Sequence, residues 1–296
     1  MAKEAYCWLR GQTAFGCPIL YCRDWSFEQL PSQELQDLEL ILICGFNRPM
    51  LGRHLAYQQQ RIASLFPRWQ VWVAAPTLRL VRESQNSNVV AFSESLLTRA
   101  DFWQPTQHSL YYSAVTVAGW EQYNKHELLV KLDRVLILTG NDATLKDREA
   151  VVRKLLFKHY FHVTRAGGYD NADLARDYFT QAACGLALSD IDGGASMVAA
   201  MQLAGLPIVA TRSRVGALEL CDLEFVRIVP ADPTIIAAAV REFENELPAA
   251  YDVRLSFHEK LLAARAVFMQ QFGPVNWDDL PVVLSNDNPF LWRLPI

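Results

Sequence analysis

Short, almost wholly apolar runs of strand length recur along this chain, each followed by a segment with helical spacing. Leu38 to Cys44 (LELILIC) and Arg134 to Thr139 (RVLILT) are the clearest runs. A strand that is apolar at nearly every position has no face left for water, so it belongs in a sheet covered on both sides. Gln70 to Ala74, Val89 to Phe92, Phe161 to Thr164, Cys184 to Leu188, Pro207 to Ala210 and Phe225 to Val229 read as further strands. Pro18 to Cys22 reads as a strand or a buried turn, and Tyr111 to Val115 is strand-like. Between them, Met50 to Phe66 places Leu51, Leu55, Ile62 and Leu65 at helical spacing before Pro67 stops it, and Asp147 to Tyr160 sets Val151, Val152, Leu155 and Leu156 on one side. Helices are also expected around Lys125 to Lys131, from Asp170 or Asn171 to Ala182, from Gly194 to Ala204, and after Asp232 and Pro233, an N-cap followed by proline. Strand, helix, strand at these intervals means parallel sheet with crossover helices.

The rhythm runs twice. Asp101 to Gln107 (DFWQPTQ) carries a proline and no helical period, and the 296 residues divide there into 1–107, 108–275 and a broken apolar tail, 276–296, expected to pack on a domain. The 28 basic and 32 acidic side chains give a net charge of −4, which argues against a dedicated duplex-DNA binder. No apolar run reaches the roughly 18–20 residues of a membrane-spanning helix, and Met1 to Arg10 lacks the pattern of a secretory signal. Six cysteines without CxxC spacing read as free thiols in a reducing cytoplasm, and the scattered histidines give zinc little support. GxSxG, HExxH, the Walker loop and GxGxxG are all absent.

Leu186 to Gly216 (LALSDIDGGASMVAAMQLAGLPIVATRSRVG) is the segment that carries chemistry. It reads as strand, acidic glycine loop, helix, tight turn, strand. Gly193, Gly194 and Ser196 sit where the strand hands over to the helix. Small residues there let a phosphate approach free backbone N–H groups at the positive end of the helix dipole. The competing reading is a glycine turn with a purely structural role.

The order of residues in this segment resembles the donor-site signature of retaining nucleotide-sugar glycosyltransferases of the GT-B fold, the family 4 type. That signature has a serine, a Glu-Gly pair, a second Glu eight positions after the first, and Gly-x-Pro-Val-Val-Ala-Thr. Ser189, Asp192-Gly193 and Gly205-Leu206-Pro207-Ile208-Val209-Ala210-Thr211 stand at matching spacings. Upstream, Asp173 to Ala183 is similar to the family's preceding helix, and Val229-Pro230-Ala231-Asp232-Pro233 to its next helix entry. The resemblance covers roughly residues 110 to 270 and is specific across 173 to 235. It implies an α/β protein of GT-B architecture, with two facing Rossmann-like domains, an acceptor-side domain followed by a donor domain. It also implies transfer of a sugar from a nucleotide diphosphate sugar, with retention, without a metal and with no cofactor beyond that co-substrate.

Under the resemblance, Asp192 would lie near the donor sugar, and Lys125, in Lys125-His126-Glu127, would clamp the diphosphate. The alternative for Lys125 is a solvated lysine at a helix start. Thr211, Arg212, Arg214 and Arg165 are further donor-side candidates, because no arginine lies within 114–124 where the family places one. In the first domain Asn47 and Arg48, on the loop that leaves the strongest strand, and His54, one turn further, are candidates for the cleft or the acceptor. The aromatic group Tyr6, Trp8, Phe15, Tyr21, Trp25 and Phe27 reads as a satellite core ahead of an acceptor platform. Two departures stand out: Asp192 replaces the first glutamate, and Ala200 replaces the second, which in the family holds the ribose. A short first domain suits a large acceptor, either a polysaccharide, a protein or a modified nucleic acid base. The rival expectation is a GT-B module that binds or regulates and no longer catalyses.

Overall fold

A computed structural model describes residues 6–9, 16–23, 39–45, 60–75, 81, 88–106, 109–118, 125–140, 149–155, 158–164, 172–189, 196–212 and 218–280. Strands β1 (Tyr6–Leu9), β2 (Ile19–Arg23), β3 (Leu40–Gly45), β4 (Trp69–Ala75) and β5 (Val89–Ala91) form a first sheet in that order. β2 to β5 are parallel, as expected, but β1 runs antiparallel to β2. Leu40 to Cys44 are fully buried, which is why their run has no polar alternation.

The second sheet holds β6 (Ala114–Val117), β7 (Val135–Gly140), β8 (Tyr160–Thr164), β9 (Gly185–Ala187), β10 (Ile208–Thr211) and β11 (Val226–Val229). It is parallel throughout, in the order β11-β10-β9-β6-β7-β8. Both its faces are covered. Val135 and Ile137 of β7 join one core with Leu128, Leu129, Ile236 and Val240, while Leu136 and Leu138 join the other with Ala199, Leu203 and Phe268. Alternate residues of one strand therefore enter two cores, the physical content of an uninterrupted apolar run.

Helices α1 (Glu149–Leu155), α2 (Ala172–Phe179), α3 (Ser196–Leu203), α4 (Pro233–Asn245) and α5 (Ala250–Phe272) complete the frame. Asp232 caps α4 as its sequence predicts, accepting from Thr234 N at 2.8 Å and Ile235 N at 3.1 Å. Three expectations need correction. Tyr111 and Tyr112 precede β6, because both their N–H groups turn to Gln181 O at 2.9 Å. The segment after Lys125 is a 3-10 helix, His126–Lys131. The helix expected over Asp147 to Tyr160 is described only as Glu149–Leu155, and Tyr160 already opens β8. Met50 to Phe66 is described as helical only over 60–65.

α5, which sequence reading did not find, joins the two sheets. Its buried Phe268 and Phe272 meet Phe92 (5.3 Å between ring centres) and Trp72 (5.1 Å) of the first sheet's side. Two of its arginines hold the segment that crosses between the sheets. Buried Arg265 donates from Nε and Nη2 to Leu96 O (3.1 and 2.9 Å) and from Nη2 to Thr98 O (2.8 Å). Arg254 donates to Ala100 O and Leu203 O, both at 2.9 Å, and to Trp103 O. The Arg265 guanidinium lies over Trp277, 4.8 Å from the ring centre. Burial pulls it down to about 10, so it stays charged at neutral pH. Among the described residues no helix is long and apolar enough to cross a membrane.

Replacing Arg265 with alanine leaves Leu96 O and Thr98 O buried without their donor, at a cost of roughly 1–3 kcal/mol each. Arg265→Ala is expected to lower the urea unfolding free energy by about 3 kcal/mol, and Arg265→Lys to recover part of that. A loss below about 1 kcal/mol for Arg265→Ala would contradict the clamp.

Candidate functional site

Chain order in the second sheet reverses between β6 and β9: from β6 the chain adds β7 and β8 on one side, then crosses to add β9, β10 and β11 on the other. At such a reversal the connections leave in opposite directions and open a crevice at the carboxyl ends of the strands, where ligands of parallel sheets bind. The crevice position here falls at Val117 and Ala118 after β6 and at Leu188 and Ser189 after β9.

The described candidates follow the carboxyl ends of these central strands. Lys125 comes after β6 and precedes the 3-10 helix His126–Lys131. It is half-buried, and its φ of 51° is left-handed, a region that costs a non-glycine residue energy. Ser196 opens α3 after β9, and Thr98 Oγ1 donates to its carbonyl at 3.5 Å. This long contact brings the start of α3 beside the crossing segment held by Arg265, a neighbour not evident from the sequence. A short polar residue beside Ser93 and Ser95 carries no signal of so distant a partner.

Thr211 ends β10. It is only 2% exposed, yet its Oγ1 has no hydrogen-bond partner among the described residues. A buried hydroxyl left in that state costs free energy unless something outside the chain pairs with it. Arg212 follows it and is exposed. β10 pairs with β9 in register (Ala210 with Ala187), so Thr211 and the exit of β9 are on one side of the sheet. Asp192, Gly193, Gly194, Arg165 and Arg214 lie outside the described residues, as do Asn47, Arg48 and His54. Of the aromatic group, Tyr21 is buried, stacks on Phe92 at 5.2 Å and donates to Glu94 Oε1 at 2.6 Å, which makes it core.

The rest of the matched segment has a structural cause. α3 ends in a paired-bond cap: Leu206 N donates to Met201 O at 2.9 Å and Gly205 N to Gln202 O at 3.0 Å. Gly205 occupies the left-handed position of this cap, with φ 89°, and a Cβ there would meet Ala250 Cβ at 2.6 Å. Glycine is the residue that fits both demands. Ala200, eight positions after Asp192, is 1% exposed and belongs to the core shared with α5 and the 3-10 helix Glu94–Leu97. Helix α3 carries no acidic residue in its first turn.

No protein-family model matches the chain, and no curated protein matches it in sequence. Solved structures do match it in shape. Sucrose-phosphate synthase from Thermosynechococcus elongatus aligns over 87% of this chain and 72% of its own, at 16% identity and a TM-score of 0.55. AviGT4, a glycosyltransferase involved in avilamycin A biosynthesis, aligns over 81% of this chain and 76% of its own, at 13% identity and a TM-score of 0.52. The pneumococcal O-GlcNAc transferase GtfA, solved with UDP and GlcNAc, aligns over 83% of this chain but 55% of its own, at 15% identity and a TM-score of 0.53. At these identities the likeness establishes the fold, which is GT-B.

With Ala200 in the core, a carboxylate placed there loses its water. Ala200→Glu is expected to destabilise the protein by about 3 kcal/mol or more, seen as a lower melting temperature, with no gain in nucleotide affinity. Unchanged stability together with tighter nucleotide binding would place this position on the ligand side of α3 instead.

Proposed function

We propose that the protein is a glycosyltransferase that binds a nucleotide diphosphate sugar at the carboxyl ends of β6, β9 and β10 and passes the sugar to an acceptor. The observation that carries this reading is the buried, unpartnered Thr211 hydroxyl at the end of β10, beside the reversal of strand order. The fold supports it, since the matched structures include a transferase solved with UDP and GlcNAc. The segment resemblance supports it independently.

Departure of a nucleoside diphosphate builds negative charge on its terminal phosphate. In this reading the N–H groups at the start of α3 and the Lys125 ammonium face that charge, and Thr211 donates or accepts one hydrogen bond to the donor. Fixed donors aimed at developing charge are the largest rate term in such a reaction. Asp192, Gly193 and Gly194 complete the donor side, with Arg212 and Arg165 as the cations that replace the family arginine. Asn47, Arg48 and His54 face the acceptor, a polysaccharide, protein or modified nucleic acid base. Retention of anomeric configuration, independence from metal and a cytoplasmic setting belong to the same reading. The free, buried Cys184 and Cys221 accord with a reducing compartment.

A second reading, a GT-B module that binds without turnover, draws on one observation: the position where the family holds the ribose is a buried alanine. Incubation with uridine, guanosine, adenosine and cytidine diphosphate sugars separates the two. The transferase reading expects nucleotide release from at least one donor. Absence of release with every donor, and of any rise in melting temperature, would overturn it.

Two variants locate the chemistry. Lys125→Ala is expected to reduce turnover by roughly 100-fold or more while leaving the melting temperature nearly unchanged. Thr211→Val removes a hydroxyl that has no partner among the described residues, so stability should hold or rise while donor affinity falls by about 1 kcal/mol in calorimetric titration. An unchanged rate for the first variant, or unchanged affinity for the second, would remove that residue from the site.

A further inference from the structure

At the end of the second sheet opposite to the candidate donor site, four tyrosines converge. Tyr111 and Tyr112 precede β6, Tyr160 opens β8 and Tyr178 sits on α2. Tyr112 is buried and stands nearly perpendicular to Tyr111 (4.9 Å between ring centres, 85°) and to Tyr160 (5.3 Å, 72°). Tyr178 meets its ring at 6.3 Å. Propped in this way, Tyr111 and Tyr160 remain 52% and 41% exposed, with ring centres 5.5 Å apart and hydroxyls 3.4 Å apart. Leu110, also exposed, borders them.

The backbone beneath is strained and fully held. Arg134 has a left-handed φ of 52°. Its N–H donates to Lys158 O (3.1 Å), and its carbonyl accepts from Ser113 N (3.1 Å). Its guanidinium donates to Tyr111 O (3.3 Å) and to Glu244 Oε1 (3.1 Å). Strain retained in a non-glycine residue by so many partners is a mark of positions with a use.

The two basic residues joined to this cluster are each paired. Arg134 is paired with Glu244, and Lys158 lies 3.4 Å from Asp133. A nucleic acid or an anionic membrane surface requires clustered unpaired cations, and of the described basic residues the two joined to this cluster, Arg134 and Lys158, are both paired. Two ring faces inclined at 56° and rimmed by hydroxyls present an apolar notch with a polar edge. A pyranose has the same division, with C–H groups on its face and hydroxyls at its rim.

We propose that Tyr111 and Tyr160 form a binding platform for a neutral glycan chain, separate from the donor site. The identity of that glycan as acceptor rests on the transferase reading; its binding does not. The six residues of β7 span about 20 Å, so a chain that occupies both ends of the sheet must be several sugars long. The platform therefore selects a polymeric acceptor over a short one.

Native gel electrophoresis through soluble starch, mannan, galactan and xylan tests this without any donor. The wild type is expected to be retarded by at least one polymer, and Tyr111→Ala/Tyr160→Ala to lose roughly tenfold or more in apparent affinity. Tyr160→Phe, which keeps the ring, is expected to lose only part. Melting temperature should change little in both variants, because the substituted rings are about half exposed. Donor hydrolysis should be unchanged as well, so loss at the platform is distinguishable from failure of the donor site. No retardation by any polymer, or equal retardation of the double variant, would overturn the proposal. So would concentration-dependent self-association that the double variant abolishes, since a second copy would then occupy the surface.

Discussion

Two guanidinium groups on one helix, Arg265 buried and Arg254 half-buried, hold the segment on which the relation of the sheets depends. Residues 92–100 of the chain between β5 and β6 are largely buried, and the carbonyls of Leu96, Thr98, Ala100 and Trp103 accept from arginine side chains instead of from a strand. A buried carbonyl without a donor costs as much as a lost hydrogen bond. Arg265 and Arg254 supply those donors from α5, and Arg254 reaches Leu203 O at the end of α3 as well. One helix thus ties together the first sheet, the crossing segment and the helix that follows β9. The long contact from Thr98 to Ser196 brings the same segment beside the start of α3, where the candidate site begins.

The matched segment separates into residues kept by folding and residues with a surplus. Gly205 answers a left-handed cap and the close passage of Ala250, and Ile208 to Ala210 are buried strand. Gly185 at the start of β9 has a similar origin, since a Cβ there would meet Met201 Sδ at 2.5 Å. None of these requires a ligand. Thr211 differs, because its hydroxyl is buried with no partner among the described residues. A motif of this kind is therefore mostly a record of how α3 packs on β9 and β10, with its chemistry concentrated at the strand end.

Much of the architecture was legible because it rests on local patterns. Leu40 to Cys44 and Val135 to Leu138 announce strands buried on both faces, and Asp232 with Pro233 announces a helix start that the structure reproduces. α5 was not legible. Its buried residues Val253, Phe257, Leu261, Phe268 and Phe272 share one face, but exposed Tyr251, Leu255 and Leu262 put apolar side chains on the opposite face too, so no single apolar stripe stands out in the sequence. The clamp was not legible either, since an arginine that binds carbonyls more than 160 positions away leaves no trace in spacing. At the site, Lys125, Ser196, Thr211 and Arg212 could be named from order alone, whereas the missing partner of Thr211 is a property of three-dimensional packing.

The two ends of the second sheet are chemically unlike. The carboxyl ends offer a helix start, a lysine and an unpaired hydroxyl, whereas the amino ends offer aromatic faces with paired charges. The central claim is that a nucleotide occupies the first of these ends. Hydrogen exchange, measured by mass spectrometry with and without saturating nucleoside diphosphates, tests it most directly. The account predicts that one nucleotide slows exchange at residues 117–118, 125–131, 187–189, 196–200 and 211–212, and leaves 109–113, 133–134 and 158–160 unchanged. Protection confined to the amino ends, or protection by no nucleotide at all, would contradict it.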